Sequence, residues 1–211
     1  MTAPLVAVLD YGIGNLRSAQ KALEVCGADA RLTADPAFVR SADAVVLPGV
    51  GAFGACMQAL RAAGLESVVH EAVASGRPFL GICVGMQMLF TGSDEDPDDA
   101  GLGVIDGQIR WITDQLPRPQ MQWNQLSLTR SDDPMFVGLT GQPWVYFVHS
   151  LHGVPADPSL VAATCDYGGT VNAAFRKGNV FATQFHPEKS GVDGLALLRN
   201  FVQLVSSGVS A

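Results

Sequence analysis

The sequence has little of what nucleic-acid-binding or membrane proteins need. It contains 13 lysines and arginines against 20 acidic residues, giving a net charge of −7 at pH 7. Phosphate recognition needs clustered basic side chains, so this balance argues against nucleic-acid binding. No apolar run reaches membrane-spanning length, and nothing before the first expected strand has the composition of a signal peptide. We therefore expect a cytoplasmic protein that binds neither nucleic acid nor membranes.

Cysteine is also scarce. The four cysteines lie far apart and form no Cys-x-x-Cys pair, so a zinc site is not indicated. In a reducing compartment we expect no disulfides, and Cys26, Cys56 and Cys165 should act as small buried apolar residues. The acidic run at residues 93–99 lacks the ligand spacing and central glycine of a calcium loop, which favours a solvated loop. We expect neither a metal nor a cofactor.

The order of apolar patterns predicts one α/β domain over residues 1–211. Strands and helices alternate at first, which indicates a mostly parallel central sheet flanked by helices. The second half is strand-rich, because short apolar runs between residues 102 and 183 are divided by Gly, Pro and Asp. A helix at 193–206 closes the chain, with 207–211 expected to be frayed. The early strands are expected at 5–9, 30–33 and 44–47, with a further strand leading into Cys83, and the early helices at 16–25, 36–40, 55–63 and 65–74.

Three segments are expected to meet at one edge of this sheet. Residues 10–15, residues 48–51 and Cys83 each follow a predicted strand. Sites in parallel sheets form outside the carboxyl ends of the strands, so these segments should surround a common site. A dinucleotide at Gly12 and Gly14 is excluded, because the third glycine of the phosphate-binding fingerprint is missing.

The Gly-Ile-Cys-Val-Gly motif at residues 81–85 predicts a nucleophile at a sharp strand-to-helix corner. Glycines on either side permit the close backbone approach that such a corner needs. A sulfur there should be exposed, and the helix N-terminus favours the reactive thiolate. The alternative is a structural cysteine between two chance glycines in a chain with 23 of them.

A second motif, His186-Pro187-Glu188, follows an expected strand at residues 179–185. Alternate residues of an extended segment point to the same side, so His186 and Glu188 should be presented together. A thiol needs a base, and the base needs an acceptor that orients its imidazole. A lone His beside an apolar strand is usually a core residue, but its occurrence with the Cys83 motif favours a Cys-His-Glu triad.

These two motifs resemble those of the class I glutamine amidotransferases. Within that family the chain is most similar to the glutaminase subunits of imidazole glycerol phosphate synthase. This similarity rests on the Asp-Tyr-Gly-Ile-Gly-Asn-Leu-Arg-Ser segment at 10–18, the Leu-Pro-Gly-Val-Gly-Ala-Phe segment at 47–53 and the Phe-His-Pro-Glu-Lys-Ser segment at 185–190. The resemblance covers residues 5–205.

The resemblance implies hydrolysis of L-glutamine to glutamate and ammonia by Cys83, His186 and Glu188. The oxyanion hole would comprise the Val84 amide and the peptide between Gly49 and Val50. Residues similar to the family's substrate-binding positions are Gly51, Gln87, Glu95, His149 and Ser150.

The resemblance also implies a partner, a (β/α)8-barrel cyclase/synthase subunit that forms a heterodimer with this chain. The barrel would use the channelled ammonia to make imidazole glycerol phosphate and aminoimidazole carboxamide ribotide in histidine biosynthesis. Positions similar to the family's partner-facing residues are Tyr11, Asn15, Arg17, Met121, Trp123 and Lys189.

One segment departs from the family pattern, since Met121-Gln122-Trp123-Asn124 stands where Met-Gly-Trp-Asn is usual. Gln122 lacks the backbone freedom of glycine, which puts the local geometry in question. Two alternatives stay open at this point. The chain could be a triad glutaminase of another pathway, such as anthranilate or pyridoxal phosphate synthesis, although residues 48–51 argue against it. It could also be a non-catalytic binding relative of the fold, although all three triad residues are present.

Overall fold

A computed structural model describes residues 2–207. Thirteen strands within this range are β1 to β13: Leu5–Leu9, Asp29–Thr33, Ala44–Gly49, Phe79–Cys83, Gly92–Ser93, Gly107–Trp111, Gln120–Gln125, Ser127–Leu128, Trp144–His149, Leu151–Pro155, Val161–Asp166, Thr170–Lys177 and Val180–Thr183. Six α-helices are α1 to α6: Leu16–Val25, Pro36–Ser41, Phe53–Ala62, Glu66–Ala74, Val84–Gln87 and Gly191–Ser207. Apart from Ser207, which ends α6, the segment expected to be frayed lies outside the described residues.

The central sheet has eight strands in the order β2-β1-β3-β4-β13-β12-β11-β8. The strands from β2 to β13 pair in parallel, and those from β13 to β8 pair antiparallel. Every residue of β3, β4 and β13 is buried, which is typical of parallel strands covered on both faces. The predicted α/β fold with a mostly parallel sheet and a strand-rich second half is confirmed.

The adjacent parallel strands β1, β3, β4 and β13 position the site. They end at Leu9, Gly49, Cys83 and Thr183. Because parallel strands point the same way, the segments that follow them gather at one edge. The expectation that residues 10–15, residues 48–51 and Cys83 meet there is confirmed, and β13 adds the segment that contains His186.

Two smaller sheets complete this edge. One contains β10, β6 and β5, and the other pairs β7 with β9. Ser150 links β9 to β10, so residues 149–151 lie where the two small sheets join. The backbone N–H of His186 donates to the Tyr146 carbonyl at 3.1 Å, which ties the segment after β13 to β9.

The helices pack on the sheet and on one another. α1 contacts β2 and α6, and α2 contacts α4. None of the helices within residues 2–207 is long and apolar enough to cross a membrane. The apolar pattern at residues 86–90 predicts a longer helix after Cys83 than the structure contains. α5 makes a single turn and ends at Gln87. The dipole of so short a helix contributes less than expected to thiolate stability.

Candidate active site

Cys83 occupies a strained corner between β4 and α5. Its φ is +55° and its ψ is −115°, and within residues 2–207 it is the single non-glycine residue with positive φ. Such a conformation costs on the order of 1–3 kcal/mol, and the surrounding structure must enforce it. A Cβ at Gly81 would come within 3.0 Å of the Met86 Cα, and one at Gly85 would overlap the Leu47 carbonyl oxygen. Close packing therefore requires a glycine at position 85 and leaves little room for a side chain at position 81.

The Cys83 side chain is not exposed as the sequence suggested. The residue is 4 % exposed, and it faces a cavity instead of the open surface. The expectation of an exposed corner thiol is wrong, because residues 148–151 and His186 cover the edge of the sheet above it. Such coverage could not be read from the local motif, since it comes from strands far away in the chain.

His186 and Glu188 form a buried pair beside this cavity. Nδ1 of His186 lies 2.7 Å from Oε1 of Glu188, and their side chains are 2 % and 3 % exposed. A carboxylate can only accept, so Nδ1 carries the proton and Nε2 is the nitrogen left for the chemistry. The expectation that the two residues are presented together is confirmed. Nε2 of His186 and Oε2 of Glu188 are buried without a hydrogen-bond partner among the described residues.

The surroundings of His186 raise its pKa, so the imidazole is charged at neutral pH. Burial opposes the charged ring, but interactions with Cys83 and Glu188 outweigh it and raise the pKa of His186 to about 9. The Cys83 sulfur thus acts on the ring although Nε2 makes no hydrogen bond of good geometry. A charged ring at this position can serve as a proton donor beside the cavity.

The cavity above Cys83 has a volume of about 250 Å³. It is lined by Cys83, His186 and most of the predicted oxyanion-hole and substrate-binding positions, whereas Gly49 and Glu188 lie outside the lining. No motif in the sequence predicts three of the lining residues, Pro119, Val148 and Leu151. The lining comprises Val50, Gly51, Cys83, Val84, Gln87, Glu95, Pro119, Val148, His149, Ser150, Leu151 and His186.

Two side chains hold the loop that follows β3. The Tyr11 hydroxyl donates to the Pro48 carbonyl at 2.7 Å, and the Cys56 thiol donates to the Val50 carbonyl at 3.3 Å. Burial raises the pKa of both groups, so both remain protonated donors. The peptides on either side of the Gly49–Val50 peptide are therefore fixed.

Gly49 has a packing role in addition to the flexibility expected of it. A Cβ there would lie 2.6 Å from the Gly85 nitrogen and 3.0 Å from the Val84 carbonyl carbon. Any other residue at this position would push against the elbow, so substitution of Gly49 is not a clean probe of loop motion. Gly51 differs, since it has φ +96° and open space around its Cβ position.

The acidic run at 93–99 is not the solvated loop that the sequence favoured. Glu95 Oε2 accepts the Phe53 N–H and Asp96 Oδ2 accepts the Gly54 N–H, both at 2.8 Å. These carboxylates satisfy free N–H groups at the start of α3 and complement its dipole. This capping role could not be predicted from local pattern, because the two carboxylates lie far from α3 in the sequence. Glu95 also lines the cavity, where its second oxygen can meet a cationic group.

Gln87 and His149 form part of the wall opposite the loop. The Gln87 amide nitrogen donates to the Gln184 Oε1 at 3.1 Å and to the Leu151 carbonyl at 3.5 Å. His149 Nδ1 lies 2.7 Å from the same carbonyl, and burial lowers the pKa of His149 to about 4. This ring is therefore neutral and serves as a fixed wall.

Most of the positions assigned to a partner interface lie on the surface. Asn15, Arg17, Met121 and Trp123 are exposed and Lys189 is half-buried. Tyr11 is 5 % exposed, so it offers a partner little surface and instead supports the Pro48 carbonyl.

Met121 and Trp123 belong to an apolar surface on the β7–β9 pair, which we call the aromatic face. Facing residues of the two strands share one side, and the exposed fraction reaches 62 % at Met121, 47 % at Trp123 and 50 % at Trp144. Exposed apolar side chains that share one side of a sheet make this face a candidate interaction surface. The aromatic face comprises Met121, Trp123, Trp144, Tyr146 and Val148, and Val148 also lines the cavity.

The unusual Gln122 fits the strand without strain. It lies in β7 opposite Phe147, it is exposed, and its φ is not in the left-handed region. Extended backbone of this kind suits any residue, so the glycine usual at this position is not needed here.

The three other cysteines are only partly as expected. Cys56 and Cys165 are buried, whereas Cys26 is half-exposed. Cys56 also has the specific role of holding the Val50 carbonyl. Within residues 2–207 no group of three or more His, Cys, Asp or Glu side chains is placed to hold a metal ion.

Comparison with known proteins gives a consistent picture. The family described as "Glutamine amidotransferase class-I" matches residues 7–204. The chain is 48 % identical to a protein of Synechococcus sp. (strain JA-3-3Ab), covering 100 % of this chain and 99 % of the relative. It is 51 % identical to a protein of Thermosynechococcus vestitus, covering 97 % and 99 %. Both relatives are named "Imidazole glycerol phosphate synthase subunit HisH".

Solved structures with low sequence identity share the fold. A solved glutamine amidotransferase aligns with a TM-score of 0.75 at 23 % identity, covering 95 % of this chain and 98 % of that one. PurLQS from Thermotoga maritima aligns with a TM-score of 0.76 at 20 % identity, also covering 95 % and 98 %.

Proposed function

This chain belongs to the class I glutamine amidotransferase family, and we propose that it is the glutaminase subunit of imidazole glycerol phosphate synthase. It would hydrolyse L-glutamine and supply the ammonia to a synthase subunit in histidine biosynthesis. The observation that carries the proposal is that Cys83 and His186 line one cavity, while Glu188 pairs with His186 behind it. The identity to relatives of that name supports the choice of pathway.

The first half of the reaction uses Cys83 as the nucleophile and His186 as the acid. The Cys83 thiolate attacks the side-chain amide carbon of glutamine, and the His186 imidazolium then gives its proton to the leaving nitrogen. A carbon–sulfur bond forms, the carbon–nitrogen bond breaks, and ammonia departs. In the second half His186 takes a proton from water, the hydroxyl attacks the thioester, and the thiolate leaves as glutamate forms.

The oxyanion of each tetrahedral intermediate needs fixed N–H donors. The Val84 N–H is the first of α5, so it has no partner within that helix. The Val50 N–H would be the second donor when the Gly49–Val50 peptide turns towards the cavity. Tyr11 and Cys56 hold the neighbouring peptides, so this one peptide can rotate while the rest of the loop stays in place.

Substrate recognition is proposed to use groups around the cavity rim. The free oxygen of Glu95 would meet the α-ammonium of glutamine, while the backbone at His149 and Ser150 would hold its carboxylate end. Gly51 leaves room for the ligand, because it has no side chain. Gln87 keeps its carbonyl oxygen for the ligand, since its nitrogen is already used.

Ammonia would be protonated in water, so it must pass directly to the synthase subunit. We propose that this partner is a (β/α)8 barrel that docks on the aromatic face and forms a heterodimer. Val148 belongs both to that face and to the cavity lining, which supports docking of the partner beside the site of ammonia release. Asn15, Arg17 and Lys189 would form polar contacts around it.

A diazo-ketone analogue of glutamine tests the nucleophile. We expect it to label Cys83 alone among the four cysteines and to abolish glutamine hydrolysis. Cys165 serves as an internal control, because it is also buried but lies away from the cavity. Labelling of another cysteine, with full activity in Cys83→Ala, would overturn the assignment.

A further inference from the structure

Gln184 lies between β13 and His186 and takes no part in the chemistry described above. It is fully buried, and its backbone N–H donates to the Ala173 carbonyl at 2.8 Å. Its side-chain nitrogen lies 3.8 Å from the Cys83 sulfur. A buried amide beside a nucleophilic sulfur needs a reason, because burial of a polar side chain costs free energy unless its groups are paired.

The orientation of the Gln184 amide is fixed by a chain of hydrogen bonds that starts at a backbone carbonyl. The Leu151 carbonyl can only accept, so it draws the nitrogen of the Gln87 amide. That nitrogen also donates to Gln184 Oε1 at 3.1 Å. With its oxygen facing Gln87, the Gln184 amide must turn its N–H donors towards Cys83.

We propose that Gln184 is a positioning residue that donates a hydrogen bond to the Cys83 sulfur and thereby stabilises the thiolate. A hydrogen bond to the charged form of an acid favours that form. The short α5 makes such local donors more important, because a single helical turn supplies little dipole. The proposal rests on the proposed role of Cys83 as nucleophile.

The sulfur is an anion twice in the reaction. It attacks the amide carbon as a thiolate and leaves the thioester as a thiolate. A donor from Gln184 therefore helps both to prepare the nucleophile and to release the product. Stabilisation of the thiolate acts on kcat. Gln184 also orients the Gln87 amide, which lines the cavity, so its loss should raise KM as well.

The pH dependence of Cys83 alkylation by iodoacetamide, read from the Cys83 peptide by mass spectrometry, isolates this effect from turnover. The titratable groups that act on Cys83 are His186, Tyr11 and Cys56. None of them is changed in Gln184→Met, which fills the same space without a donor. We expect the half-maximal pH to rise by roughly 0.5–1 unit, the worth of one ordinary hydrogen bond. The complex should also lose kcat several-fold.

Asn200→Leu is the control. Asn200 is also buried, and its amide nitrogen donates to the Met135 and Val137 carbonyls, away from the cavity. This variant removes an equivalent buried amide, so it should lower stability without moving the Cys83 profile. Gln184→Glu is a second, isosteric variant in case the Met variant does not fold. Its carboxylate presents an acceptor to the sulfur in place of a donor. The alkylation profile of Cys83 should therefore move further towards high pH than in Gln184→Met.

An unchanged Cys83 profile in a folded Gln184 variant would overturn the proposal and would show that Gln184 only fills space. Failure of the proposed function would give a different result. If Cys83 were not the nucleophile, Cys83→Ala would still hydrolyse glutamine, whatever the alkylation profile of the Gln184 variants.

Discussion

Gly85 packs directly against the Leu47 carbonyl oxygen, so that a Cβ on Gly85 would overlap that oxygen. The contact joins the first turn of α5 to β3 and holds Cys83 in its positive-φ conformation. Since the obstacle is backbone, it cannot turn aside as a side chain would. The glycine of the elbow is thus a steric requirement of the neighbouring strand.

Gly85→Ala should therefore lower the free energy of unfolding by about 3 kcal/mol and remove glutaminase activity, because overpacking here displaces the elbow. Urea unfolding and a glutamate-release assay measure the two effects. Gly138→Ala is the control, since its Cβ would meet no described atom within 4 Å and only its φ of +77° is unfavourable. It should cost about 1–2 kcal/mol and leave activity intact. Equal activity in both variants would contradict this account of the elbow.

Glu188→Gln should shift the pH profile of kcat/KM. The pKa of His186 is raised to about 9, so the proton that it donates is present through neutral pH and lost as pH rises through that value. Glu188 contributes to this raised pKa, so the pKa of His186 should be lower in the variant. The fall in activity on the basic side of the profile should therefore begin at a lower pH than in the native chain. Turnover should fall, but by less than in Cys83→Ala, because Glu188 only orients and stabilises. An unmoved basic limb would indicate that another group carries the proton.

We expect the synthase subunit to stimulate glutamine hydrolysis by favouring the turn of the Val50 N–H towards the cavity. Tyr11→Phe should reduce this stimulation. Without the hydroxyl the Pro48 carbonyl is released, so the Val50 donor is less well fixed. The loss of one hydrogen bond corresponds to roughly a tenfold smaller stimulation. Tyr167→Phe is a matched control, because Tyr167 also donates to a proline carbonyl, that of Pro117, at 2.7 Å. Identical stimulation in both variants would exclude a role for the Tyr11 contact.

Trp123→Ala should weaken binding of the synthase subunit by about 2 kcal/mol or more, as expected for a tryptophan near the centre of an interface. Calorimetric titration measures the affinity, and alkylation of Cys83 checks that the site is intact. Trp111→Ala removes a tryptophan of similar exposure, 45 %, on a different sheet, and it should have little effect. If Trp111→Ala were the more damaging variant, the aromatic face would not be the docking surface.

The sequence predicts the edge at which the site forms better than it predicts the details of the site. The strands that end at Leu9 and Cys83 are recognisable from short apolar runs, and parallel strands bring their ends together by geometry alone. The pairing of His186 with Glu188 is also local, but the structure achieves it through the 3-10 turn Pro187–Lys189 that follows His186, and not through strand alternation. These features depend on local pattern.

The burial of Cys83 and the capping role of Glu95 depend on segments distant in the chain, so local pattern could not indicate them. Gln184 is an intermediate case. It stands two residues before His186, and alternation along the strand could have placed both on the same side as Cys83. Its hydrogen bonds to Gln87 and Cys83 required the fold.

The central claim is that Cys83 releases ammonia from glutamine for use by a synthase subunit. The most direct measurement compares glutamine-dependent and ammonium-dependent synthesis by the complex carrying Cys83→Ala. We expect synthesis from glutamine to disappear, while synthesis from added ammonium salt continues at the native rate, because the partner's site is untouched. Continued synthesis from glutamine in that complex would contradict the account.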